Sequence, residues 1–292
     1  MDINIDKYEI TNGNGFRLSA FDTKPEFEIS KKESKRIIKA NVKVIADFQE
    51  RMFANQKRSA LIVFQAMDGA GKDGTIERLV TGVNPQGVRV DPFKAPTALE
   101  LRHDFLWRIQ KKLPPRGIIG IFNRSHYEEV LVVRVHPSFL LSQDLPGIET
   151  IEDVDNSLWE RRFKRIANFE HDLAVTGTYV MKFFLHISKE EQKNRMLDRI
   201  GQPNKHWKFN LDDIKERMYW DRYMDAFEDA ITNTSQPEAP WYIIPGDDKY
   251  FARALVTTIV AQRLGAIKEP WPEADAKKRD EIDAGEEMLE NE

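Results

Sequence analysis

Residues 66–75 read Ala66-Met67-Asp68-Gly69-Ala70-Gly71-Lys72-Asp73-Gly74-Thr75. Glycines and a Lys at this spacing suit the binding of an anion. Gly69, Gly71 and Gly74 let the main chain approach phosphate oxygens, backbone N–H groups form a nest for them, and Lys72 adds a point charge. Ala70, Asp73 and Thr75 complete the expected phosphate cradle. The stretch departs from G-x-x-x-x-G-K-[ST] at two places: Ala66 stands at the first Gly position, and Asp73 replaces the metal-binding hydroxyl. A hard cation must then find its oxygen ligands elsewhere, and Asp68 is the obvious carboxylate. The competing reading is an ordinary strand-to-helix turn carrying a surface Lys.

A second constellation is Asn123-Arg124-Ser125-His126-Tyr127-Glu128-Glu129. It follows a short apolar run, where phosphate-binding folds commonly offer an Asp to the metal; here Asn123 supplies a neutral oxygen at that point. Arg124 can neutralise charge that develops on a transferring phosphoryl group; a surface ion pair with Glu128 or Glu129 is its bland alternative. His126 reads as a hydrogen-bonded positioning residue, because transfer between phosphates needs positioning and charge neutralisation more than proton abstraction.

Cations concentrate around these motifs. Residues 102–134 contain seven Arg/Lys against three acids, among them Lys112 and Arg134, which makes a track for a long polyanion or a solvated helix face. Arg195 and Arg199 lie four apart, hence on one face of a helix over 189–200. That helix runs into Gly201-Gln202-Pro203-Asn204-Lys205-His206-Trp207-Lys208. A basic helix ending in a Gly/Pro loop reads as a lid, and Arg195, Arg199, Lys205 and Lys208 are its expected phosphate contacts. Trp207, Trp220 and Tyr223 read as core rather than as stacking platforms.

The elements that must hold these residues are legible from periodicity. SALIVFQA (59–66), VRVD (88–91), GIIGIF (117–122), TYVMKFFLHI (178–187) and WYIIP (241–245) are strands, several of them continuous apolar runs of the kind buried on both faces. Helices are predicted over 31–55, about 74–81, 97–113, 155–173 and 249–265. Strands alternating with helices imply right-handed βαβ units, hence an α/β three-layer sandwich with a mostly parallel five-stranded sheet and helices on both faces. Residues 1–30 read as an irregular arm, 31–268 as one domain including a lid at about 189–215, and 269–292 as a mobile acidic tail.

The chain has 292 residues, no Cys, and 44 Lys+Arg against 48 Asp+Glu. Without Cys there is no disulfide scaffold, thiolate metal site or cysteine nucleophile. No apolar run is long enough to span a bilayer and the N-terminus is polar, so a cytoplasmic protein without membrane association is expected. Near-neutrality misleads, because residues 269–292 hold ten acids and three bases and leave a mildly basic body. That balance does not suggest a nucleic-acid-binding protein, but it leaves room for one local anion-binding face.

Taken together, FQAMDGAGKDGT, GIFNRSHYEEVLVVRV, NKHWKFN with DIKERMYWDRYMDAFEDA, and APWYIIP resemble, in this order, the linked motifs of the polyphosphate kinase 2 family. The resemblance covers most of residues 30–268. It implies a P-loop kinase-like fold and reversible, Mg²⁺-dependent phosphoryl transfer from inorganic polyphosphate, with Mn²⁺ as an alternative metal. By it, Asp68 and Asn123 serve the metal, Lys72 and Arg124 the transferring phosphate, and the four lid cations the polyanion. The Asn-Arg-Ser-His-Tyr-Glu form is similar to the class that phosphorylates both AMP and ADP, and it singles out Glu128. Adenine nucleotides, with guanine nucleotides as further candidates, and a homo-oligomer are the implied partners. An ATP-dependent nucleoside monophosphate kinase and a silent polyphosphate-binding protein are the alternatives.

Overall fold

The computed structural model describes residues 3–292. After a 3₁₀ turn, strand β1 is only Glu9–Ile10. Helix α1 spans Lys31–Asn55, starting where the Ser30 hydroxyl accepts the Glu33 N–H. The phosphate-loop unit follows as β2, Ser59–Ala66, and α2, Lys72–Val80. Next come β3, Val88–Pro92, the short helices α3, Ala98–Leu101, and α4, Trp107–Gln110, then β4, Ile119–Asn123. A 3₁₀ turn at His126–Glu129 leads to α5, Val132–Val135, α6, Ser138–Leu141, and α7, Asn156–Val175. Strand β5, Thr178–His186, precedes α8, Lys189–Ile200, a 3₁₀ stretch at Pro203–Lys208, α9, Leu211–Lys215, and α10, Trp220–Thr234. Strand β6, Trp241–Pro245, α11, Lys249–Gly265, and α12, Ala276–Glu290, complete the chain.

The sheet order is β1-β6-β5-β2-β4-β3. The five expected strands form its parallel part, and β1 adds an antiparallel edge through Glu9 opposite Tyr242 and Ile10 opposite Trp241. The crossovers run to one side of β2 and then to the other, so the crevice at its carboxyl end lies where such sheets bind ligands. Helices α1, α2 and α11 pack on one another, as do α5, α7 and α10, and the two groups flank the sheet. Strand β2 is buried almost throughout, which fixes the loop at its end on a rigid base.

The structure adds detail at three places. The arm before residue 30 is structured: Ile3, Ile5, Tyr8, Phe16 and Leu18 are buried, and Tyr242 Oη donates to Glu9 Oε1 at 2.6 Å. The helix expected over 97–113 is two short pieces, because Asp104 Oδ1 accepts the Leu106 N–H at 3.0 Å and restarts the chain with a local turn. The acidic tail holds a helix, capped by Asp275 accepting the Lys278 N–H, although it buries no residue. Among the described residues no helix is long and apolar enough to cross a membrane.

Candidate active site

The loop after β2 turns twice through conformations that glycine adopts without a Cβ clash, at Gly69 with φ 83° and Gly71 with φ 99°. Gly71 caps α2, so the amino end of that helix opens onto the loop. Lys72 is its first residue. Its buried Nζ donates to the Ala66 carbonyl at 2.9 Å and lies 3.9 Å from Asp68 Oδ1. The Thr75 hydroxyl donates to the Gly71 carbonyl at 3.1 Å and is occupied inside the helix.

The adjacent strand, β4, delivers the second constellation to the same place. Among the described residues Arg124 is one of three non-glycine residues with positive φ, at 63°, a backbone state that costs about 1–2 kcal/mol for an L-residue. Its N–H is held by the Phe64 carbonyl of β2 at 3.0 Å, and its guanidinium reaches Asp68 at 2.5 Å and Glu128 at 3.5 Å. Strain of this kind is kept where the surroundings over-determine it, and here it aims a cation across the loop. Asn123 donates to Asp73 Oδ1 at 2.9 Å, and Lys208 of the lid lies 3.6 Å from Asp73 Oδ2.

Burial opposes ionisation of Asp68, but Lys72 and Arg124 outweigh it and hold the carboxyl below its ordinary range. Burial pushes Glu128 the other way, above its ordinary range, against the pull of Arg124 and Lys72. The Gln65 amide, oriented with its nitrogen toward that carboxylate, donates to Glu128 Oε1 and accepts from the Ser125 hydroxyl, each at 3.0 Å. Burial lowers the Lys72 pKa, with Asp68 working against it. Two carboxyl groups of opposite tendency and two cations thus share one crevice, an arrangement suited to charge neutralisation on phosphates.

Beneath the site lies a buried polar network. Lys182 of β5 donates to Glu170 of α7 at 2.5 Å and to the Thr234 carbonyl at 2.7 Å. Tyr127 Oη donates to Glu170 Oε1 at 2.9 Å, and His126 Nε2 meets the same oxygen at 3.1 Å. His126 is therefore bound into the core, as its positioning reading requires, and the turn carrying Glu128 is anchored through His126 and Tyr127.

The lid residues divide. Arg195 braces the loop, donating to the carbonyls of Ala70 at 2.8 Å and Gly246 at 2.6 Å. Arg199 pairs with Asp213 at 3.4 Å, and Lys205 is exposed in the turn beside Lys208. The contacts of Lys112 and Arg134 are with Asp91 and Asp229 rather than with the loop. Trp220 and Tyr223 are core, but Trp207 is 78% exposed and is not. Sequence reading missed Gln192, whose amide donates to the Asp68 carbonyl at 2.7 Å. It also missed Arg253 of α11, which packs over Gly74. Burial, then Arg78, lowers the Arg253 pKa. A lone cation inside the apolar run FARALVTTIV was the available signal.

Comparison with known proteins agrees over the whole of this region. The family described as Polyphosphate kinase 2 (PPK2) matches residues 28–271. An ADP-polyphosphate phosphotransferase of Rhodopseudomonas palustris is 44% identical over 283 residues, 97% of each chain. An AMP/ADP-polyphosphate phosphotransferase of Meiothermus ruber is 41% identical, covering 93% of this chain and 98% of that one. The crystal structure of Polyphosphate Kinase 2 from Arthrobacter aurescens TC1 superposes with a TM-score of 0.84 at 38% identity, over 95% of both chains.

Proposed function

The chain belongs to the polyphosphate kinase 2 family, and we propose that it phosphorylates both AMP and ADP at the expense of inorganic polyphosphate. The observation that carries this reading is the meeting of Asp68, Lys72, Arg124 and Glu128 at the carboxyl end of β2, under a lid whose Lys208 reaches the loop. An oxygen of the acceptor phosphate attacks the terminal phosphorus of the polyphosphate. The new P–O bond forms as the anhydride bond to the rest of the chain breaks, and polyphosphate leaves one unit shorter. The attacking oxygen is already anionic, so no base is required. One phosphoanhydride replaces another when ADP is the acceptor or AMP becomes ADP, so the reaction runs both ways.

Lys72 and the loop N–H groups orient the phosphoryl group, and Arg124 neutralises charge spread over its equatorial oxygens. Among the described residues no cluster of three or more His, Cys, Asp or Glu could hold a metal by itself. The oxygens of Asp68 and Asn123 nonetheless fit a hard cation whose remaining ligands are phosphates and water. Asp68 stays ionised, as such a ligand must. Mg²⁺, with Mn²⁺ as substitute, would supply further neutralisation of phosphate charge there.

Purified protein with AMP, polyphosphate and Mg²⁺ should form ADP and then ATP by anion-exchange chromatography, and Lys72→Ala should form neither. ATP replacing polyphosphate as the better donor to AMP or dTMP would instead point to a nucleoside monophosphate kinase. The reading extends to a homo-oligomeric cytoplasmic enzyme that also takes guanine nucleotides. Light scattering in solution and turnover of GMP test those parts.

A further inference from the structure

The lid leaves the body of the domain on α8 and returns through a 3₁₀ turn at Glu216–Tyr219 that runs into α10. Gln192 and Arg217 join these two roots. Gln192 is 1% exposed, so both ends of its amide need partners within the protein. The nitrogen donates to the Asp68 main-chain carbonyl at 2.7 Å, and the oxygen accepts from Arg217 Nη1 at 2.5 Å. The same nitrogen of Arg217 donates to the Lys189 carbonyl at 3.0 Å. The turn carrying Arg217 is itself tied down, since Glu216 Oε2 accepts from Tyr223 Oη at 2.7 Å and meets His136 Nε2 at 2.8 Å.

Chemistry fixes the direction of this relay. A carboxamide alone could turn either end toward Asp68, but only its N–H end can hold a carbonyl. Arg217 has donors and no acceptor, so it claims the oxygen end and leaves the nitrogen facing Asp68. Contact with the loop goes further: Gln192 Cγ lies 3.4 Å from where a Cβ on Gly69 would stand, and Arg195, three residues along α8, takes the Ala70 carbonyl at 2.8 Å. Gly69, with φ 83°, turns the chain directly after Asp68, and the 68–69 peptide that Gln192 holds is the link between the carboxylate residue and that turn.

We propose that Gln192 is a positioning residue for Asp68 and that Arg217, on the returning root of the lid, sets its orientation. Movement of that root withdraws the donor, frees the amide to rotate and releases the 68–69 peptide, so the placement of Asp68 depends on the lid being seated. The proposal rests on the polyphosphate-dependent reaction and states how the lid acts on its site.

Hydrogen exchange read by mass spectrometry and steady-state kinetics test it together. Arg217 is bonded to α8 and not to the loop, yet Arg217→Met should speed exchange in peptides covering 66–75 by about fivefold or more and lower kcat by about tenfold, the size of one lost hydrogen bond. Arg217→Lys should recover most of both losses, because the two bonds come from one nitrogen that an ammonium can replace. Gln192→Met, neutral and of similar length, should lower kcat by about tenfold with the KM for polyphosphate within about threefold, and adding Arg217→Met should cost less than about twofold more. Loop exchange at the wild-type rate in Arg217→Met, no recovery in Arg217→Lys, or fully additive losses in the double variant overturns the proposal. Arg217 is half-buried, so its variants give an answer even where Gln192→Met folds poorly. Failure of the wild type to phosphorylate AMP from polyphosphate would sink the underlying reaction instead, while the exchange rates still decide the relay.

Discussion

Lys208 of the lid stands 3.6 Å from Asp73, the carboxylate that also accepts the Asn123 amide at 2.9 Å. One acidic residue, at the place where related loops carry a hydroxyl, thus touches the lid and the neighbouring strand tip together. A polyphosphate anion entering the crevice competes with Asp73 for Lys208. Replacing Lys208 by Ala should raise the KM for polyphosphate about three- to tenfold with a smaller change in kcat. The pair is largely exposed, so the difference from wild type should shrink in steady-state assays as salt rises.

Arg124 combines a left-handed backbone with a chemical task. Arg124→Gly removes the conformational cost, about 1–2 kcal/mol, and with it the contacts to Asp68 and Glu128. The variant should melt within a few degrees of wild type and lose turnover by about 10³-fold or more, the range found for arginines serving transferring phosphates. Arg124→Lys should not restore it, since one ammonium cannot span both carboxylates. Near-normal turnover of either variant in a coupled ATP assay would contradict the role.

Titration of Glu128 and Lys72 should shape the pH dependence. Glu128 titrates above its ordinary 4.5 and Lys72 below its ordinary 10.5, so the kcat/KM profile for AMP should be narrower than those two values at both limbs. Stability has a definite sign as well. For Glu128 the contribution is full below the unfolded pKa and is lost as pH rises through the raised folded value. For Lys72 it is full above the unfolded pKa and is lost as pH falls through the lowered folded value. Near neutrality both charged groups therefore cost stability. Glu128→Gln should raise the melting temperature by about 2 °C or more while lowering activity. Glu128→Asn should lose AMP phosphorylation in particular; unchanged AMP turnover removes that residue from acceptor selection.

Lys182 and Glu170 are both fully buried and paired. Lys182→Met leaves a carboxylate without its cation and should destabilise by about 3–5 kcal/mol in denaturant titrations. The double variant Lys182→Met with Glu170→Gln should recover most of that loss. If the single variant melts like wild type, the network under the 126–129 turn carries no weight.

Removal of residues 276–292 should change neither turnover nor melting temperature, because α12 buries nothing. Cutting earlier is a different matter. Glu269 is buried and accepts the Asn55 amide at 2.8 Å, and Pro270 accepts it too. A melting curve for each truncation separates the two segments.

Much of this was legible in the sequence for a physical reason. Strands β2, β4, β5 and β6 are apolar runs because both sheet faces are covered, and the loop betrays itself by glycines that only a tight phosphate-binding turn needs. Arg124 was readable as a candidate, but its backbone twist was not. Strand β1 was invisible, since two residues carry no period and pair only because β6 presents an open edge. Lys182 hid inside TYVMKFFLHI, its partner Glu170 being on another element. Gln192 and Arg253 are polar groups whose importance comes from what folds against them. For Lys112 and Arg134 a run of cations in sequence goes to separate carboxylates in space, Asp91 and Asp229.

The pairing of Glu9 with Tyr242 also sets an order of events in biosynthesis. The segment of residues 9–10 leaves the ribosome well before β6 and cannot find its place until β6 has been made. Until then Ile3, Ile5 and Tyr8 have no core to enter. Contacts of such long sequence separation form slowly and leave apolar surface open in the interim. Arg263 then fastens the arm through Glu9 at 2.6 Å, so β1 is the last stitch of the sheet although it is made long before its partner.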